Sequence, residues 1–160
     1  MLANYYEVRS RFREAEAQLR ESVQTNPQNP ESTAALARFY LNQGKKGDAE
    51  SLLIQAKREF ADNAAGYRLL GDFYLGIGDL DDATNEYRTL YQAHPKDLQV
   101  KKNYTDLLIH TNRFQEASTV DDEILKPDPG DSDGLIYRGQ IYLRSGDASA
   151  AVSTLNGDQE

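Results

Sequence analysis

Alanine recurs at Ala15, Ala49, Ala83, Ala117 and Ala151, a spacing of 34 residues held through a chain of 160. A fixed period of that length constrains the fold more than any other feature. Each unit is too short to bury its own apolar face, so neighbours must stack into a solenoid. Other positions keep the same beat. Tyr6, Tyr40, Tyr74, Leu108 and Tyr142 place a large apolar side chain nine residues before each alanine. Ser10, Gly44, Gly78, Asn112 and Gly146 lie five residues before it, and Pro27, Pro95 and Pro129 lie twelve after it, with Ala61 the exception.

Within each period the apolar spacing is helical. Leu69, Leu70, Phe73, Tyr74 and Ile77 recur at three and four residues, as do Leu80, Ala83, Tyr87 and Leu90. Between these runs lie Gln43-Gly44-Lys45, Ile77-Gly78-Asp79, Thr111-Asn112-Arg113 and Ser145-Gly146-Asp147. Glycine and asparagine tolerate positive φ and so end helices, and the prolines close the unit because they cannot continue one. The expected unit is a helix, a tight turn, an antiparallel helix and a short loop. The whole chain then reads as an all-α, α-α superhelix of antiparallel hairpins with about ten helices. The alanines let the two helices of a hairpin approach, and Ala37, Gly71 and Gly139 are the small residues facing them. Tyrosine, large with a polar tip, suits the seams between hairpins.

These residues resemble the tetratricopeptide repeat. The unit Ala64 to Asp97 carries Tyr67, Leu70, Gly71, Tyr74, Gly78, Ala83, Tyr87 and Pro95 in that family's pattern, with Tyr67 and Leu90 in the slots for tryptophan and the second alanine. The resemblance covers residues 1–160 as one domain. It comprises a partial unit 1–29, full units 30–63, 64–97 and 98–131, and a truncated unit 132–160. Both ends read as cut from a longer array, and the loose, glycine-rich units and acidic composition have a bacterial character.

Composition excludes several classes. A net charge of −8 with pI ≈ 4.8 argues against a nucleic-acid binder, which needs a basic stripe. Zero cysteines removes disulfides and thiolate metal sites. No stretch approaches the roughly 20 apolar residues of a membrane span, so membrane insertion is not expected; cytoplasm and periplasm both stay open. The two histidines, His94 and His110, have no glycine-rich phosphate loop or nucleophile beside them. His94 precedes Pro95 at a helix end, where a cation favours the dipole. The acidic run from Asp128 to Gly134 puts Pro129 first and Gln140 last in a calcium-loop register, where Asp and Glu are required. Asp79, Asp81 and Asp82 open a helix, where carboxylates meet the positive dipole end. No enzyme, cofactor or metal is expected.

In the resembled family the first helix of each unit lines a concave groove where partners dock. Carried over, that groove holds Arg38, Leu41 and Asn42 in one unit and Arg68, Asp72, Leu75 and Gly76 in the next. The following units supply Lys102, Asp106, Ile109 and His110, then Asp133, Gln140, Leu143 and Arg144. Leu41, Leu75, Ile109 and Leu143 form an aliphatic stripe, read either as ligand contact or as half-buried support between helices. Arg68 with Asp72, and Lys102 with Asp106, are spaced to neutralise each other for about a few tenths of a kcal/mol. A clamp for a chaperone's C-terminal carboxylate is excluded, because the slots hold Arg68, Asp72, Asn103, Asp133 and Tyr137 and two carboxylates face the anion. Asp121 stands where Leu19, Leu53, Tyr87 and Leu155 stand elsewhere, and Arg138 where Leu2, Leu36, Leu70 and Tyr104 do. Those slots meet between successive units, so an Asp121–Arg138 structural ion pair is expected.

The functional expectation is a non-catalytic scaffold that takes a peptide or protein surface in its concave groove; the paired charges read by default as a solvated face, or else as a ladder for a peptide of mixed charge. The alternatives are an assembly module, with a homodimer formed through uncapped ends, and a regulatory segment of a larger enzyme.

Overall fold

A computed structural model describes residues 2–147 and residue 151; for residues 2–10 only the backbone is described. Among the described residues the structure is helical, in the order α1 (Leu2–Thr25), α2 (Pro30–Asn42), α3 (Lys46–Glu59), α4 (Ala64–Tyr67), α5 (Leu69–Gly76), α6 (Leu80–Ala93), α7 (Leu98–His110), α8 (Phe114–Leu125) and α9 (Ser132–Ser145). The chain divides into two compact units, Met1–Leu70 and Gly71–Glu160.

The tight turns are alike in both units. Gly44, Gly78, Asn112 and Gly146 adopt φ of 72°, 75°, 59° and 95°. The next residue folds its N–H back onto the carbonyl of the large apolar residue. Lys45 N donates to Tyr40 O at 2.9 Å, Asp79 N to Tyr74 O at 2.9 Å, Arg113 N to Leu108 O at 2.7 Å and Asp147 N to Tyr142 O at 2.8 Å. This is a Schellman closure, which satisfies carbonyls that the helix end would otherwise orphan.

Ser10 holds the same slot and does not turn. Helix α1 runs unbroken through it from Leu2 to Thr25. Serine pays the steric penalty that an L side chain meets in the left-handed region, and continuing the helix satisfies its backbone instead. The chain's first turn, expected from the beat, is therefore absent at Ser10.

A second regularity fixes where the first helices begin. Asn29, Asn63, Asp97 and Asp131 cap α2, α4, α7 and α9. Their side chains accept from Glu31 N at 2.9 Å, Ala65 N at 3.0 Å, Gln99 N at 2.8 Å and Gly134 N at 3.0 Å. Each such cap is worth about 1 kcal/mol. The third unit's first helix is interrupted at Arg68, which divides α4 from α5.

In the first compact unit α2 packs between α1 and α3, and α3 packs on α4. Its core includes Leu36, Ala37, Tyr40, Ala49, Leu53 and Phe60. A Cβ on Gly66 would lie 2.2 Å from the Phe60 side chain, so only glycine lets α4 come this close. In the second unit α7 packs against α6, α8 and α9, and α8 also packs on α9. Tyr87, Val100, Leu108, Ile109 and Ala117 have no exposed surface there. A Cβ on Gly71 would lie 2.7 Å from the Tyr87 ring, so the small first-helix residue faces this tyrosine.

Candidate functional site

In the first compact unit the face carried by α2 presents Arg38 and Asn42 to solvent, with Leu41 half-buried; Arg68, at the α4–α5 break, is half-buried. In the second unit the first helices α5, α7 and α9 supply the rest. Asp72 is exposed, and accepts a hydrogen bond from the hydroxyl of buried Tyr87 on α6. Asn103 Nδ2 of α7 donates to that same hydroxyl at 2.6 Å. The network fixes the Asp72 carboxylate from behind while leaving it in water. Leu75 is half-buried and Gly76 exposed.

Lys102 does not pair with Asp106. Its Nζ is drawn to α9, lying 2.7 Å from Asp131 Oδ2 and 2.8 Å from Asp133 Oδ2. Two carboxylates at a helix start outcompete one a turn away on its own helix. The hydrogen bonds that Lys102 donates to Asp131 and Asp133 raise the lysine's pKa, and the bond from Lys102 holds the Asp131 carboxyl below its usual range. Asp106 instead lies 3.5 Å from His110 Nδ1, both half-exposed. The Tyr137 hydroxyl on α9 is pushed up to about 12, first by burial and then by Asp106 and Asp133.

The aliphatic stripe is uneven. Ile109 is 0% exposed and offers a ligand no surface, which removes it from the candidate face. It is covered because α7 has a neighbour on either side, and Arg144 Nη1 of α9 reaches across to Ile109 O at 3.3 Å. Leu143 on α9 is the opposite case at 63% exposed, and Ile136, seven residues earlier on the same helix, is 47% exposed. Gln140, between them, is half-buried, and Arg144 is exposed.

At the seam of α8 and α9, Arg138 Nε donates to Asp121 Oδ2 at 2.7 Å and Arg138 Nη2 to Asp122 Oδ1 at 2.5 Å. Asp121 is 0% exposed, and its Oδ1 accepts nothing among the described residues. Burial pushes its carboxyl up to about 6 against the opposing pull of Arg138. Thr105 Oγ1 is likewise buried without a partner. Thr105 and Asp121 hold the slots that Gly71 and Tyr87 fill one period earlier, so a smaller pair with polar ends replaces glycine against a ring.

Sequence reasoning missed Asp131 and Ile136. Asp131 was legible in the 34-residue beat of Asn29, Asn63, Asp97 and Asp131. Ile136 had no such signal, because Ala34, Arg68 and Lys102 share its slot.

Capped hairpins repeated at this interval, with their first helices carrying solvent-facing polar groups, define a helical-repeat interaction protein. The tetratricopeptide repeat profile matches residues 9–73 and again 74–134, and the chain belongs to that family. No curated protein sequence matches it. Among solved structures, a tetratricopeptide repeat protein from Parabacteroides merdae is 18% identical with a TM-score of 0.71, over 96% of this chain and 61% of that one. This chain thus spans less than two thirds of that protein. YrrB, described as a TPR protein with an unusual peptide-binding site, is 16% identical with a TM-score of 0.66, over 96% and 79%. MamA is 16% identical with a TM-score of 0.66, over 98% and 91%. These likenesses establish the solenoid fold. That fold serves in general as a protein-interaction scaffold, and among the described residues no helix is long and apolar enough to cross a membrane.

Proposed function

We propose that the chain is a non-catalytic scaffold whose first-helix face takes a peptide segment or protein surface carrying basic residues. The observation that carries this reading is the fate of Lys102. With its ammonium held by Asp131 and Asp133, the α7–α9 face keeps Asp106 and Asp133 half-exposed as fixed acceptors. Asp72, on α5, adds a third carboxylate braced by Tyr87. An acidic rim steers a cationic partner and repels an anionic one. Leu143 and Ile136 supply apolar surface beside it. These carboxylates favour a basic ligand over an acidic one.

Titration calorimetry with an arginine-rich peptide, a glutamate-rich peptide and an apolar peptide of equal length tests this. Saturable binding of the basic peptide, weakened about tenfold by Asp106→Lys together with Asp133→Lys, is the expected result. Equal binding of all three, or preference for the acidic one, contradicts it.

A further inference from the structure

Thr105 on α7 and Asp121 on α8 are both 0% exposed. Neither Thr105 Oγ1 nor Asp121 Oδ1 has a hydrogen-bond partner among the described residues. Buried polar atoms left in that state are costly, and native structures pair nearly all of them. Thr105 also forgoes the bond that a helical threonine can make to its own backbone. Thr84, Thr89, Thr111 and Thr119 each donate to the carbonyl four residues earlier, at 2.6, 3.1, 2.8 and 3.1 Å. Thr105 does not donate to Lys101 O.

The same two slots show what belongs between these helices. One period earlier, in the same compact unit, they hold Gly71 and Tyr87. A Cβ on Gly71 would lie 2.7 Å from the Tyr87 ring, so that ring fills the contact. Helices α7 and α8 pack on each other in turn. Thr105 and Asp121 bring one side-chain heavy atom fewer than the earlier pair, and they carry oxygens where it carries a ring. Arg138 Nε takes Asp121 Oδ2 at 2.7 Å, which leaves Oδ1 as the acceptor that the α8–α9 seam does not use.

We propose that the α7–α8 contact holds one internal water that bridges Thr105 Oγ1 and Asp121 Oδ1. The threonine hydroxyl donates to the water, and the water donates to the ionised carboxylate, which can only accept. An internal water needs space for one molecule and at least two polar partners; the smaller pair supplies the first and the two orphaned oxygens the second. A metal cation is the poorer occupant, because two oxygens are too few ligands and Arg138 already places a positive charge on this carboxylate. The site lies within the helical core and does not depend on what the first-helix face binds.

A crystal structure of the unsubstituted chain, at a resolution that shows ordered water, tests the proposal. One density peak within about 2.5–3.0 Å of both oxygens is the expected result. An empty contact, or a Thr105 hydroxyl turned onto Lys101 O or directly onto Asp121 Oδ1, overturns it. In solution, the Thr105 γ-methyl is expected to show a nuclear Overhauser cross-peak to long-lived water. The γ-methyl of Thr84, which is equally buried but donates to Leu80 O, is expected to lack it. Asp121→Leu with Arg138→Leu removes one partner of the water while Thr105 keeps its hydroxyl, and the cross-peak is expected to vanish. Equal cross-peaks at the two threonines, or one that persists in the double variant, overturn the proposal.

Discussion

Ala117 and Ala15 stand in the same slot of the same repeat and meet opposite fates. Ala117 is sealed between α7 and α8, which Asn112 turns back on one another at φ 59°. Ala15 lies on a straight helix, half in solvent, because Ser10 makes no such turn. The period decides which faces are apolar. A single residue at the hinge decides whether two of those faces meet within one chain. The α7–α8 hairpin adds a second lesson at its outer seam, where a buried carboxylate and guanidinium replace the usual apolar pair.

The largest expected effect lies at that seam. Replacing Arg138 by Ala strands Asp121 and is expected to cost about 3–5 kcal/mol near pH 7. The double change Asp121→Leu with Arg138→Leu is expected to return most of it, since apolar residues fill these slots in other repeats. Urea denaturation of the single and double variants measures both. A double variant as unstable as the single one would show that the polar pair itself is required.

The same carboxyl sets a pH dependence. Its pKa is raised by burial from 3.8 to about 6. The folded state therefore binds a proton more tightly than the unfolded chain. That contribution is fully present below the unfolded value and is lost as pH rises through about 6. Between about pH 7 and about pH 4.5 the wild type should gain about 2 kcal/mol relative to the double-leucine variant. Carboxyls held low, such as Glu16 by Arg20 and Asp131 by Lys102, act oppositely and only below their ordinary range. Chemical denaturation at stepped pH separates the two windows.

Alanine substitution sharpens the contrast between closed and open repeats. Ala117→Leu overpacks a sealed contact and is expected to cost about 1–3 kcal/mol. Ala15→Leu, on a half-buried surface, should change the unfolding free energy by much less. Equal losses at both sites would mean that the first repeat is as tightly closed as the fourth. A smaller effect, about 1 kcal/mol, is expected for Asp97→Ala, which removes the bonds to Gln99 N and Val100 N at the start of α7. Thermal unfolding reads it directly.

Much of this was legible in the sequence. The turn residues, the helical spacing and the alanine beat specify the hairpins, and the Asp121 and Arg138 departures mark the slots that pair across α8 and α9. Serine at position 10 was also visible. Its consequence was not, because a regular beat argues for a turn while the local chemistry argues for a helix, and only the local term is paid at that residue. The groove was less legible for a different reason. Slot identity gives the helix face, but pairing is settled by which neighbour comes nearer. Lys102 chose Asp131 and Asp133 over Asp106, and Ile109 was sealed where Leu143 stayed exposed. Such outcomes depend on contacts between helices that periodicity does not encode.

Thiol labelling at the two equivalent alanines tests the contrast most directly. Ala15→Cys, half-buried, is expected to react with a thiol reagent much faster than Ala117→Cys, which stays protected. Equal protection of both thiols would contradict an open first repeat.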